Sequence, residues 1–501
     1  MFRRSLVSAA SVGRRQWSAR ALSSSSSSSY RKVLTLDNIN PRIEQTEYAV
    51  RGEIYLAAVK RTNENKEVIY TNIGNPHSLG QKPVTFTRQV LALLMAPFLL
   101  ESPAVHTMFP PDAIARAKSY LENIKGGMGA YSDSKGALCI RREIADFITR
   151  QSGQVSNPDN IFISNGASEV ARMVLFALIK SPTDGIMVPI PQYPLYSATI
   201  TLNGGQLIPY YLDEEKGWSL NVAELQRSLD DARAKGVTVK ALVFINPGNP
   251  TGQCLSEQNL KDLMAFGHAN NIVVCADEVY QENVYNSSRP FVSARKALGQ
   301  MPPAIANSLE VISFHSTSKG VVGECGLRGG YMEAHNIAAD VIEELYKLSA
   351  INLCSNLPGQ VALGVMVNPP KPGDASYGAY SKEVKELHAS LQRRAKLITA
   401  AFNRLPGVSC QPTDGALYAF PSVKLPATFV AHAATTGKPA DVLYCLQLLD
   451  DTGLCCVPGS GFRQREGSFH FRTTILPSED RFDDIIKRFT DFQSRFMAKW
   501  A

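Results

Sequence analysis

Four polar clusters in this 501-residue chain stand directly after short apolar runs, and each carries groups able to bind or react with a ligand. Asp277, after Asn271-Ile-Val-Val-Cys275, puts a carboxylate at the end of a buried strand. Such a position is unfavourable unless a cation or hydrogen-bond donors compensate it. Lys319, in Ser316-Thr-Ser-Lys319-Gly320, follows the apolar Glu310-Val-Ile-Ser-Phe314. A lysine there either carries its ammonium out to water on its aliphatic stem or is desolvated into a neutral, nucleophilic amine. Ser164-Asn-Gly-Ala-Ser168 opens a helical pattern whose first N–H groups suit a phosphate. The same residues would equally make an ordinary helix start capped by Ser164 or Ser168. Asn246-Pro-Gly-Asn-Pro-Thr-Gly252, after Ala241-Leu-Val-Phe-Ile245, reads by itself as a rigid turn.

The elements that position these clusters follow from the alternation of apolar runs with helical patterns. Strands are predicted at Ile161–Ser164, Gly185–Pro189, Ala241–Ile245, Asn271–Cys275 and Glu310–Phe314, and helices at Glu169–Lys180, Asn221–Lys235 and Glu257–His268. Near-continuous apolar strands separated by helices predict an α/β fold with a mostly parallel central sheet, covered by helices on both faces. Ligands of such sheets bind beyond the carboxyl ends of the strands, where all four clusters fall. The chain ends differ: Ser381–Arg404 is a long charged helical pattern, followed by short strands near Ala416–Pro421 and Phe469–Thr474. The Pro/Gly-rich Asn368–Ser376 punctuates the chain before them. The expected organisation is a large domain at 126–375 and a smaller α+β domain from both ends, 30–125 (an N-terminal arm and part of the small domain) and 376–501.

Composition narrows the function. Hydrophobic residues make up 44% and charged residues 19%, as in ordinary globular proteins with ample core. The longest apolar run, Val90–Leu100, contains Pro97 and is too short to cross a bilayer. Of the formal charge of +7, five positive charges belong to Arg3, Arg4, Arg14, Arg15 and Arg20. The remaining body gives no reason to invoke nucleic acid. Nine cysteines without a C-x-x-C pair read as reduced thiols, and paired metal ligands such as H-E-x-x-H are absent, so no metal is expected. Residues 1–29 are Arg-rich, free of Asp and Glu, and end in Ser23–Ser29. A basic amphipathic helix can be drawn through them, which predicts a transit peptide, mitochondrial rather than chloroplast, and hence the mitochondrial matrix.

Taken in order, Ser-Asn-Gly-Ala-Ser, Asn-Pro-x-Asn-Pro-Thr-Gly, Asp-Glu-x-Tyr, Ser-x-x-Lys and a downstream Arg resemble the fold-type I, class I/II pyridoxal-phosphate aminotransferases. Ser313–Glu333, with Gly323-Glu-Cys-Gly-Leu-Arg-Gly-Gly-Tyr331, is similar to the alanine aminotransferases among them. The resemblance spans about residues 40–500. It implies that Lys319 is the catalytic lysine, attaching to the aldehyde of pyridoxal 5′-phosphate and later carrying the substrate's α-proton. It further implies that Asp277 pairs with the ring nitrogen, Asn249 and Tyr280 with the ring oxygen, and that Tyr193 stacks on the ring. Ala167, Ser168, Ser316 and Arg328 would hold the phosphate, and Tyr131 would reach the phosphate in a neighbouring subunit of a homodimer. Arg472 in Phe469-His-Phe-Arg-Thr-Thr474 would grip the substrate carboxylate, and Gly74 in Asn72-Ile-Gly-Asn-Pro76 would close over the substrate.

The activity so implied is reversible amino transfer, L-alanine plus 2-oxoglutarate giving pyruvate plus L-glutamate. The nearest alternative is transfer between glutamate and glyoxylate. Enzymes of that kind are peroxisomal, whereas this sequence ends Lys499-Trp-Ala501, unlike a Ser-Lys-Leu address. A lyase on the same fold would share nearly every cofactor residue. A serine acylase would need S-D-N and K-T-G partners to Ser316-x-x-Lys319, and neither occurs. No residue is identified for the second carboxylate of 2-oxoglutarate.

Overall fold

The computed structural model describes residues 32–501; the expected transit peptide at 1–29 lies outside the described residues. A seven-stranded sheet forms the centre: β1 Ile161–Ser164, β2 Asp184–Ile190, β3 Gln206–Tyr211, β4 Thr238–Ile245, β5 Val273–Asp277, β6 Val311–Ser316 and β7 Gly330–His335. Its order is β1-β7-β6-β5-β4-β2-β3, with β7 antiparallel to both neighbours and the other pairings parallel. Strand residues alternate between the two faces, and both faces are buried. Phe162, Val243 and Phe314 pack on one side, and Leu242, Phe244 and Val274 on the other. This is why the strands read as continuous apolar runs rather than as alternating ones.

Two strands escape the sequence pattern. β3 is an edge strand containing Pro209, tolerated there because an edge leaves one row of N–H groups unpaired. β7 begins at a glycine, Gly330, and carries a buried carboxylate, Glu333, which Arg295 neutralises at 2.9 Å.

Four helices share one core under the β1 edge of the sheet: α1 Thr85–Met95, α2 Pro111–Asn123, α3 Leu138–Ser152, and an almost wholly buried helix at Leu357–Val367 in which Gln360 is the one polar side chain. Residues 85–123 therefore pack with the central sheet, whereas their position in the chain predicts the smaller domain. The reason is their apolar stripe, Val90, Leu94, Ile114 and Ala117, which meets Ile140, Ile144 and Val361. The other core gathers Ile54, Ala58 and Ile69 with the long helix Tyr377–Phe402 and the last helix Glu479–Trp500. We propose that the smaller domain is drawn from 53–70 and 377–501. Its strands β8 Tyr418–Ala419, β9 Val457–Pro458 and β10 Phe471–Thr474 pair in the order β8-β10-β9. Strands β8 and β10 bring Tyr418 and Arg472 against the ends of the central strands.

Candidate active site

The carboxyl ends of β1, β5 and β6 open into a cavity of about 420 Å³. Of the twelve residues singled out from the sequence, Gly74, Ala167, Ser168, Tyr193, Asn249, Asp277, Tyr280, Ser316, Lys319 and Arg328 line it. Arg472 borders it through Asn249 and Tyr418. Tyr131 does not line it: it lies on the surface, 76% exposed.

Asp277 ends β5 and is buried. Its Oδ2 accepts a hydrogen bond from the Tyr196 hydroxyl at 2.7 Å and its Oδ1 accepts one from the Val279 N–H at 3.4 Å. It forms no ion pair within hydrogen-bond distance among the described residues. Burial lifts its pKa to about 6, although the Tyr196 and Val279 donors and the charge of Lys319 pull the other way. Lys319, in the loop after β6, donates from Nζ to the Gly74 carbonyl at 3.0 Å and lies 5.7 Å from the Tyr280 ring centre.

At the other end, Ala167 begins the helix Ala167–Leu178 with no side-chain cap. Ser164 Oγ points instead to the Gly166 carbonyl, at 3.0 Å. The first N–H groups of this helix thus face the cavity without a serine cap, and its positive end suits an anion. Gly166 is required here: its φ is +98°, and a Cβ would fall 2.2 Å from Arg328 Nη2. Arg328 donates to the Asn165 carbonyl at 2.8 Å and the Cys325 carbonyl at 3.0 Å, and no carboxylate neutralises it among the described residues. Ser316 Oγ, buried at the end of β6, accepts from the Ser318 N–H at 3.1 Å.

Arg472 is 1% exposed. Its Nη1 donates to Asn249 Oδ1 at 2.9 Å and its Nη2 to the Asn72 carbonyl at 2.5 Å, while Nε has no partner. Its guanidinium lies 4.1 Å from the Tyr418 ring centre and 4.8 Å from that of Phe462. A buried guanidinium held only by neutral groups is an anion receptor, because leaving the charge unpaired is costly.

Three tyrosines with no role assigned from the sequence complete the walls. Tyr196 holds Asp277. Tyr418 accepts from the Tyr280 hydroxyl at 3.2 Å. Burial acts to raise the Tyr418 phenol, but the cations of Lys319 and Arg472 outweigh it and hold it below the ordinary phenol range. Tyr280, with burial unopposed to the same degree, sits well above that range. Tyr48 meets Tyr193 hydroxyl to hydroxyl at 2.9 Å. Tyr196 stands one helical turn past Tyr193 and was within reach of an i, i+3 argument. Tyr418 and Tyr48 arrive from remote segments and carry no local signal.

A parallel sheet with an acid and a lysine at adjacent strand ends, beside a helix start prepared for phosphate, defines a pyridoxal-phosphate type of site on an α/β scaffold. The profile of the family described as "Aminotransferase class I and II" matches residues 102–489, and the chain belongs to that family. It is similar to glutamate–glyoxylate aminotransferase 1 of Arabidopsis thaliana, 51% identical over 94% of this chain and 98% of that protein. It is 48% identical to the probable mitochondrial alanine aminotransferase of Dictyostelium discoideum, over 94% of this chain and 91% of that one. Among solved structures, the alanine aminotransferase of Pyrococcus furiosus superposes with a TM-score of 0.71 at 25% identity, covering 91% of this chain and 98% of that one. The protein is an aminotransferase whose cofactor is pyridoxal 5′-phosphate. The residues present fit that group: Asp277 offers a buried acid to a cationic ring nitrogen, Lys319 an amine to an aldehyde, and Ala167, Ser168, Ser316 and Arg328 donors to a phosphate.

Proposed function

We propose that the chain transfers amino groups between L-alanine and 2-oxoglutarate, yielding pyruvate and L-glutamate. The observation that carries this is a pair of uncompensated charges at one cavity: Asp277 without a cation and Arg472 without an anion, each bound only to neutral donors or acceptors. A cofactor with a protonated ring nitrogen satisfies the first, and the α-carboxylate of an amino or oxo acid the second. Bound pyridoxal phosphate supplies an electron sink for the charge that develops at the substrate Cα. Asp277 would keep the ring nitrogen protonated, and Asn249 and Tyr280 would donate to or accept from the ring oxygen. Tyr193 would cover the ring, and the start of the helix at Ala167 with Arg328 would hold the phosphate. Lys319 Nζ takes the substrate's α-proton and returns one, as a general base and then a general acid. Arg472 would fix the substrate carboxylate, and Gly74, whose carbonyl holds Nζ, would border the substrate.

The names of relatives support both the alanine reading and transfer between glutamate and glyoxylate. We infer a homodimer in which Tyr131, exposed here, serves the neighbour's phosphate. We also infer mitochondrial targeting, supported by the composition of residues 1–29 and by the mitochondrial alanine aminotransferases among the relatives.

The test is a single-turnover half-reaction. L-Alanine added without an oxo acid converts the cofactor to its amine form and releases one pyruvate per site. Release of ammonia or carbon dioxide would instead define a lyase. In the return half-reaction, a larger kcat/KM for glyoxylate than for 2-oxoglutarate would favour the second reading. A related expectation concerns Arg472→Lys. Exchanging a planar fork for a point charge removes a bidentate contact. We expect kcat/KM for amino acids to fall by about 2–4 kcal/mol, with cofactor absorbance retained. An unchanged kcat/KM would remove Arg472 from carboxylate binding.

A further inference from the structure

The cavity holds one more cation. Arg51 ends the short helical turn Ala49–Arg51 and lines the same cavity as Gly74, Lys319 and Tyr418. The guanidiniums of Arg472 and Arg328 are anchored by Asn72, Asn249 and Asn165. That of Arg51 is exposed and makes no hydrogen bond or ion pair among the described residues. Its backbone is nevertheless tied to the site. The Val50 carbonyl accepts from Asn72 Nδ2 at 3.4 Å, and the Asn72 carbonyl accepts from Arg472 Nη2 at 2.5 Å. On the other side, the Tyr48 and Tyr193 hydroxyls meet at 2.9 Å. An anchored segment therefore presents a free guanidinium to a cavity at whose border Arg472 offers a second one.

We propose that Arg51 is a specificity-determining residue that receives the distal carboxylate of the five-carbon dicarboxylic substrate, glutamate or 2-oxoglutarate. This rests on the reading that such a dicarboxylate is one of the substrates, which the alanine and the glyoxylate reactions share. One pocket must accept both a methyl group and a propionate. A buried second arginine would reject the methyl substrate, because its charge would be left desolvated and unpaired. An exposed arginine has no such penalty: it stays hydrated when alanine is bound and exchanges water for a two-pronged carboxylate contact when glutamate is bound. The other cavity cations are committed elsewhere in this reading, Lys319 to the aldehyde and the α-proton and Arg328 to the phosphate, and backbone carbonyls hold both in place.

The experiment compares the glutamate and alanine half-reactions of the cofactor-loaded enzyme with those of Arg51→Gln and Arg51→Lys. In Arg51→Gln the ratio of kcat/KM for glutamate to that for alanine falls about 30–300-fold, mainly through KM, and Arg51→Lys recovers part of it. Equal losses with both amino acids would make Arg51 merely structural, and a ratio within threefold of the unmodified enzyme would remove the role. Failure of the underlying reading looks different, since the unmodified enzyme would then not be converted by glutamate at all.

Discussion

Replacing Lys319 by arginine should lower turnover by at least about 10⁴-fold, at the upper end of what a positioned proton-transfer group contributes. The variant keeps the positive charge and the reach to the Gly74 carbonyl, so folding and phosphate binding should survive. It loses the one property the chemistry needs, because a guanidinium does not give up its proton in a protein and cannot serve as a neutral nucleophile or base. Two measurements isolate this. Single-turnover reaction with alanine should be undetectable on the timescale at which the unmodified enzyme completes it. Borohydride reduction of the unmodified, cofactor-loaded enzyme should fix the label on the peptide containing Lys319, and in Lys319→Arg it should fix none. Label on any other lysine, or turnover within a hundredfold of normal, would place the chemistry elsewhere. Thermal unfolding of both proteins separates a catalytic defect from a folding one.

Asp277 and Lys319 were legible because a doubly buried parallel strand has a simple signature, an uninterrupted apolar run, and a charged residue just past its end stands out against it. The positions of Ala167 and Ser168 were legible for a related reason: Gly166 must precede a helix whose start approaches Arg328 closely, and small residues permit that approach. Arg472 was recognisable only by resemblance. Its neighbours Phe469, His470 and Phe471 give no hint that its charge lacks a counter-ion; that follows from Asn72 and Asn249, each more than 200 positions away. Tyr418 was hidden more deeply. It sits in a two-residue strand held by pairing with Thr474, and nothing local announces that its ring lies under Arg472 and its hydroxyl beside Tyr280. The packing of 85–123 with the large sheet is not legible in the sequence, because a chain-end position suggests the smaller domain, whereas apolar complementarity to Ile140 and Val361 decides it. What sequence reveals here is local burial; what it conceals is which remote segments meet.

Asp277→Asn should separate stability from activity in opposite directions. Its folded pKa of about 6 lies above the value of 3.8 for an ordinary aspartate. Below the lower of these both states are protonated and Asp277 exerts no pH-dependent effect. Between them the folded chain binds the proton more tightly than the unfolded chain does, so stability falls as pH rises through that window. Above it, the cofactor-free protein carries a buried carboxylate at a cost on the order of 3 kcal/mol. Asparagine has the same shape and no charge. The cofactor-free variant should therefore match the unmodified protein near pH 4 and become more stable by up to about 3 kcal/mol at pH 8, read from denaturant unfolding at a series of pH values. Its activity should move the other way. Without the acid, nothing in the described cavity keeps a ring nitrogen protonated, and removing one partner of a buried charge pair costs about 3–5 kcal/mol, a fall in turnover of roughly 200- to 5,000-fold. If the two cofactor-free proteins kept the same stability difference at every pH, Asp277 would not titrate as its burial requires. If the variant retained activity within tenfold, its place opposite the ring nitrogen would have to be given up. The expected gain in stability and loss of activity together would show a residue kept at the expense of the fold because only the loaded site supplies its counter-charge.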